Sequence, residues 1–103
     1  MTVSWSESIA DIDWHELEAL YRAAPLGNKN ARMLETVFGN SRYRCFAYAD
    51  GRLVAAGRAL ADGADAAYVC DVAVLPAFQG RGLGKEVVQR LVGLCGGHKK
   101  IIL

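Results

Sequence analysis

Seven consecutive residues, Gln79-Gly80-Arg81-Gly82-Leu83-Gly84-Lys85, set three glycines at alternate positions among two cations. That mixture suits one task, the holding of phosphate. A helix N-terminus presents unpaired backbone N–H groups and the positive end of the helix dipole, so main chain alone can grip a diphosphate where no side chain blocks it. Gly80, Gly82 and Gly84 remove the block, and Arg81 and Lys85 add charge. Two common phosphate loops do not fit. A Walker loop needs GxxxxGK followed by Ser or Thr, whereas only three residues separate Gly80 from Gly84, and Glu86 follows Lys85. A dinucleotide fingerprint, GxGxxG, would need glycine at Lys85 or at Val87, depending on its start.

Such a loop works only if a strand delivers it and a helix receives it. Ala66 to Val74 is apolar almost throughout and reads as the delivering strand, expected at the centre of a sheet, with Asp71 as its one carboxylate. Pro76-Ala77-Phe78 makes the turn. From Gly82 onward Leu83, Val87, Val88, Leu91, Val92, Leu94 and Cys95 form one broad apolar face, opposite Lys85, Glu86, Gln89 and Arg90, until Gly96-Gly97 closes the helix.

Upstream, Val3 and Trp5 alternate as a short strand over Thr2 to Ser6. Asp13 and Glu16 form a capping pair, and Ile12, Leu17, Leu20, Tyr21 and Ala24 recur at helical spacing until Pro25 stops the run. This predicts a helix over Asp13 to Ala24. After the loop from Leu26 to Asn30, Met33, Leu34, Val37 and Phe38 mark a second helix that ends at Gly39. Tyr43 to Ala49 and Leu53 to Leu60 are two strands joined by Asp50-Gly51, a strong hairpin signal. Asp62-Gly63-Ala64-Asp65 makes the next turn, and Lys99 to Leu103 begins a last strand.

The loop resembles the acetyl-coenzyme A loop of the GNAT family of N-acetyltransferases. That family's pattern, Gln/Arg-x-x-Gly-x-Gly/Ala, is met at every specified position by Gln79-Gly80-Arg81-Gly82-Leu83-Gly84. The element order, strand, helix, helix, three strands, helix, strand, is also that of the family's first part. The resemblance implies an α/β (α+β) fold with a mixed, mostly antiparallel sheet flanked by helices. Residues 1–103 would form a single domain lacking the family's usual C-terminal part.

By the same resemblance acetyl-coenzyme A is the cosubstrate, held by Val72, Ala73 and Val74 of the fourth strand and by Gln79, Gly80, Arg81, Gly82, Leu83, Gly84 and Lys85. One N–H in the Val72–Val74 stretch would polarise the thioester carbonyl. The implied reaction is direct transfer of the acetyl group to a primary amine of a small molecule or peptide, gripped partly by the Pro25–Asn30 loop. Direct transfer needs a neutral amine and a proton for the departing thiolate. Asp71 is the candidate base or water-holding residue, because burial in an apolar strand can raise a carboxylate's pKa; the alternative is a structural hydrogen-bond acceptor. The rival reading of the whole chain is a catalytically weak protein of this fold that only binds coenzyme A.

Composition bounds the rest. Hydrophobic residues make up 52% and charged residues 22% of 103, with 12 basic against 11 acidic, which points to a globular domain without a nucleic-acid partner. The apolar runs fall far short of the ~20 residues of a membrane span, so no membrane partner and a cytoplasmic location are expected. His15 and His98 show no metal-ligand spacing, and no metal is expected. Cys45, Cys70 and Cys95 lie in apolar patterns and read as buried thiols. No dense acidic cluster favours a polyamine acceptor. The exposed apolar last strand predicts a homodimer formed through that end.

Overall fold

The computed structural model describes residues 2–103. The elements in chain order are β1 (Val3–Ser6), α1 (Trp14–Ala23), α2 (Ala31–Gly39), β2 (Tyr43–Ala49), β3 (Arg52–Ala61), β4 (Ala66–Val74), α3 (Leu83–Leu94) and β5 (Lys100–Ile102). Local chemistry fixes the helix starts. The Asp13 carboxylate accepts from the N–H groups of His15 at 3.0 Å and Glu16 at 3.2 Å, and the Asn30 side chain accepts from Met33 N–H at 2.9 Å. Glu16 does not complete the expected capping box. Its carboxylate reaches across to Leu53 N–H at 2.8 Å and so ties α1 to the start of β3. Glu18 similarly accepts from Ala31 N–H at 2.8 Å, fastening the start of α2 to α1.

The sheet has the strand order β1-β2-β3-β4-β5, with every pair antiparallel except β4 and β5. β3, not β4, therefore occupies the centre. β4 reads as central because helices lie on both its faces, α1 on one and α3 on the other. β5 pairs with it only over Ala66 to Tyr68. Past Tyr68, the outer edge of β4 has no strand partner among the described residues.

Alternate residues of β3 show the two layers. A Cβ on Gly57 would lie 2.8 Å from Val87 Cγ1 and 3.0 Å from Leu91 Cδ1, so α3 packs directly on the strand backbone and glycine is what admits it. Arg58, the next residue, points to the other face. On that face Phe38 of α2 stacks on Phe46 of β2 with ring centroids 5.5 Å apart, beside Leu17, Leu20 and Tyr21 of α1. Burying each such large side chain contributes about 1.5–3 kcal/mol. Cys45 and Cys95 are buried and Cys70 is partly so, and burial pushes the Cys45 thiol up to about 11.

Candidate active site

The strand-to-helix junction is built in three steps. Leu75 N–H bonds to Val54 C=O at 2.8 Å and ends the strand, and Pro76–Phe78 then forms one 3₁₀ turn. Gln79 follows in extended conformation, and its side-chain amide donates to Val74 C=O at 3.1 Å, holding the loop against the end of β4. Gly80 and Gly82 both adopt φ 80°, the left-handed region that other residues avoid. The first intrahelical bond of α3 runs from Glu86 N–H to Gly82 C=O at 3.0 Å. The amides of Leu83, Gly84 and Lys85 thus lack an intrahelical acceptor.

Here α3 departs from its sister helices. α1 and α2 carry side-chain caps, whereas Gly82 supplies none to α3. A Cβ built on Gly80 or Gly82 would meet no protein atom within 4 Å, so the space before the uncapped amides is open. Free N–H donors at a helix's positive end, with room in front of them, fit an oxyanion such as a diphosphate. The side chain of Leu83 belongs to the core at 6% exposure, so only its amide can serve. The Arg81 guanidinium lies 5.2 Å from the Phe78 ring centroid.

Beside the junction β4 is bulged. Ala56 pairs with Ala73 and Arg58 with Cys70, so Asp71 and Val72 together oppose Gly57. Asp71 has φ 55°, one of two non-glycine residues in the left-handed region among those described. Three neighbours hold it. The Tyr21 phenol donates to the Asp71 carbonyl, Arg58 Nε donates to its carboxylate at 2.7 Å, and Lys29 Nζ lies 3.7 Å from the same oxygen. Arg58 also donates through Nη1 to Ser41 Oγ at 3.2 Å. Burial, reinforced by the Asp71 charge, pushes the Tyr21 phenol well above its ordinary range, so it stays a donor.

Val72, Ala73 and Val74 follow the bulge directly, and the Gln79 bond joins the end of that stretch to the glycine loop, so these candidates and Asp71 form one connected run of backbone. Lys29 brings the α1–α2 loop to the same place. Tyr21, Lys29, Arg58 and Ser41 are not evident as site residues in the sequence. A signal did exist for Arg58: it is the one cation between Leu53 and Leu60, and antiparallel pairing sets it near Asp71, the one carboxylate of the next strand. Among the described residues no His, Cys, Asp or Glu cluster could hold a metal ion, and no helix is long and apolar enough to cross a membrane.

Known proteins share this architecture. The family model described as "Acetyltransferase (GNAT) family" matches residues 7–103. A Staphylococcus aureus protein named a probable acetyltransferase is similar, with TM-score 0.85, 21% identity, and coverage of 99% of this chain and 80% of that one. A GNAT family acetyltransferase from Streptococcus pneumoniae has TM-score 0.80 at 22% identity, covering 99% and 76%. Glucosamine-6-phosphate N-acetyltransferase from Arabidopsis thaliana has TM-score 0.73 at 20% identity, covering 100% and 82%. No curated protein sequence matches the chain significantly.

Proposed function

The chain belongs to the GNAT family of acetyltransferases, and on that premise we propose that it moves the acetyl group of acetyl-coenzyme A directly to a primary amine. The observation that carries this reading is the run of uncapped amides at Leu83, Gly84 and Lys85, opened by left-handed Gly80 and Gly82 beside the unpaired edge of β4. Those amides would take the cofactor's diphosphate, with Arg81 and Lys85 supplying charge around it. The backbone of Val72, Ala73 and Val74 would pair with its amide-containing arm along the free strand edge, as an added strand would. When bound, acetyl-coenzyme A supplies an activated acyl carbon.

The chain's own residues then have two tasks near that carbon. The first is to aim a backbone N–H of the Val72–Val74 stretch at the carbonyl oxygen, which the bulge does by turning the strand out of its regular ladder. The second is to receive the amine. The Pro25–Asn30 loop borders the same surface through Lys29. Of the two roles open to Asp71, general base or structural acceptor, its ion pairs with Arg58 and Lys29 support the second. The named reaction of the Arabidopsis protein supports a primary amine as acceptor.

Calorimetric titration with acetyl-coenzyme A, followed by thiol release over a panel of amines, tests the reading. Saturable binding with thiol released only when an amine is present is the expected result. Binding without release toward any amine would leave a cofactor-binding protein, and no binding would end the proposal.

A further inference from the structure

The face of β4 at Asp71 is cationic on balance. Three charged side chains meet there: the Asp71 carboxylate, Arg58 with Nε at 2.7 Å and Lys29 with Nζ at 3.7 Å. Their side chains are 19%, 12% and 28% exposed, so bulk water screens them only in part. The charged side chains acting on neighbouring Cys70 are these same three, and those acting on Tyr21 are Asp71 and Arg58. Among the described residues, Asp71 is the carboxylate that acts on both Cys70 and Tyr21. Glu18, which lines the same pocket as Lys29, is engaged by other partners, with one oxygen on Ala31 N–H and the other on Arg22. Two cations against one anion leave a positive charge uncompensated.

Donors are left over as well. Arg58 gives Nε to Asp71 and Nη1 to Ser41, and neither bond uses Nη2. Among the described residues every fully buried polar side-chain atom has a partner, so Nη2 is not wholly sealed from solvent. Lys29 Nζ carries three N–H groups, and its single carboxylate neighbour at 3.7 Å lies beyond hydrogen-bond range. A guanidinium and an ammonium that lie against the same Asp71 oxygen, each with N–H groups left over, can together receive an oxyanion.

We propose that Lys29 and Arg58 bind a carboxylate or phosphate carried by the acceptor on the same molecule as its amine. An incoming anion takes Nη2 and the free N–H groups of Lys29 while Asp71 keeps Nε. A polycationic amine would be repelled by the same surplus charge. The proposal rests on the acetyl-transfer reading for what the amine is there to do, but the anion site itself needs no turnover.

Nuclear magnetic resonance of the full chain tests it directly. The Arg58 Nε–H signal is followed while inorganic phosphate or N-acetylglycine is added, with potassium chloride at matched ionic strength as the control. A saturable shift with at least one of the two anions is expected, weakened about ten-fold in Lys29→Met, the size of one charge-assisted hydrogen bond. The two titrations distinguish a phosphate site from a carboxylate site. In turnover, a hexosamine 6-phosphate or an amino acid should exceed its neutral counterpart, the hexosamine or the amino acid amide, by about ten-fold in kcat/KM. Lys29→Met should erase that preference through KM. No saturable shift with either anion, or a preference that survives Lys29→Met, overturns the proposal. Anion binding without acetyl transfer to any amine would instead sink the acetyltransferase reading and leave the site standing.

Discussion

The phenol of Tyr21, buried in α1 at 3% exposure, donates its hydrogen to the carbonyl of Asp71 at the left-handed bulge of β4. A helix thus fixes the one backbone irregularity from which the candidate cofactor strand departs. Tyr21→Phe keeps the ring and its packing against Phe38 but leaves a part-buried carbonyl without its donor, which costs about 1–3 kcal/mol. For a domain of this size the melting temperature should fall by about 4–8 °C per kcal/mol. Affinity for acetyl-coenzyme A should fall with it, because the strand edge is no longer held in one shape. Thermal denaturation and calorimetry measure the two effects, and an unchanged affinity would separate Tyr21 from the site.

Asp71 offers two things at one position, a left-handed backbone and a carboxylate, and substitution separates them. Asn tolerates positive φ almost as well as Asp, whereas β-branched Val does not. Asp71→Asn should therefore keep acetyl transfer within about ten-fold of the parent and leave its pH profile unaltered, whereas loss of a true general base costs about 10²–10⁴-fold. Asp71→Val should lose about 1–2 kcal/mol of stability through backbone strain, together with cofactor affinity. Steady-state rates for Asp71→Asn across pH decide the role, and a collapse in rate would return Asp71 to the part of base.

What the sequence makes legible follows from how local each signal is. The glycine loop, the Asp50-Gly51 hairpin and the helix start at Asp13 are contiguous patterns, and each stands where its residues predict. The order of strands is less local: an apolar run reports that β4 is covered on both faces but not which strand lies at the centre. The surroundings of Asp71 are the least local of all. Tyr21, Lys29 and Arg58 come from a helix, a loop and the neighbouring strand, and only the folded sheet brings them within reach of one carboxylate. The bulge at this residue is a mismatch of register, which neither strand shows by itself.

The glycines of the phosphate loop should not be equivalent. Gly82 has φ 80° and open space beyond it, so Gly82→Val both strains the backbone, by about 1–2 kcal/mol, and fills the volume before the α3 amides. Gly84 has no such φ, and a Cβ there would meet Val74 Cγ2 at 3.5 Å, an ordinary contact. Gly84→Ala should bind acetyl-coenzyme A within a few-fold of the parent, while Gly82→Val should show no measurable binding with its circular dichroism preserved. Equal affinities in the two variants would move the diphosphate away from this loop.

The acid limit of the fold should be set in part by the turn that joins β3 to β4. The Asp62 carboxylate accepts from the N–H groups of Ala64 at 2.8 Å, Asp65 at 2.7 Å and Ala66 at 3.1 Å, and these bonds lower its pKa from 3.8 to about 2. A carboxylate depressed on folding contributes stability that is complete above its unfolded value and is lost as pH falls through its folded one. The window is therefore pH 4 to 2. The same turn anchors β5, because Gly63 N–H donates to His98 Nε2 at 3.0 Å and Asp65 C=O accepts from Lys100 N–H at 2.7 Å. Asp62→Ala should consequently be less stable than the parent at pH 7, with the difference closing as pH falls from 4 to 2. Chemical denaturation at each pH measures this, and a difference that stays constant over that window would show that the carboxylate's charge is not what holds the turn.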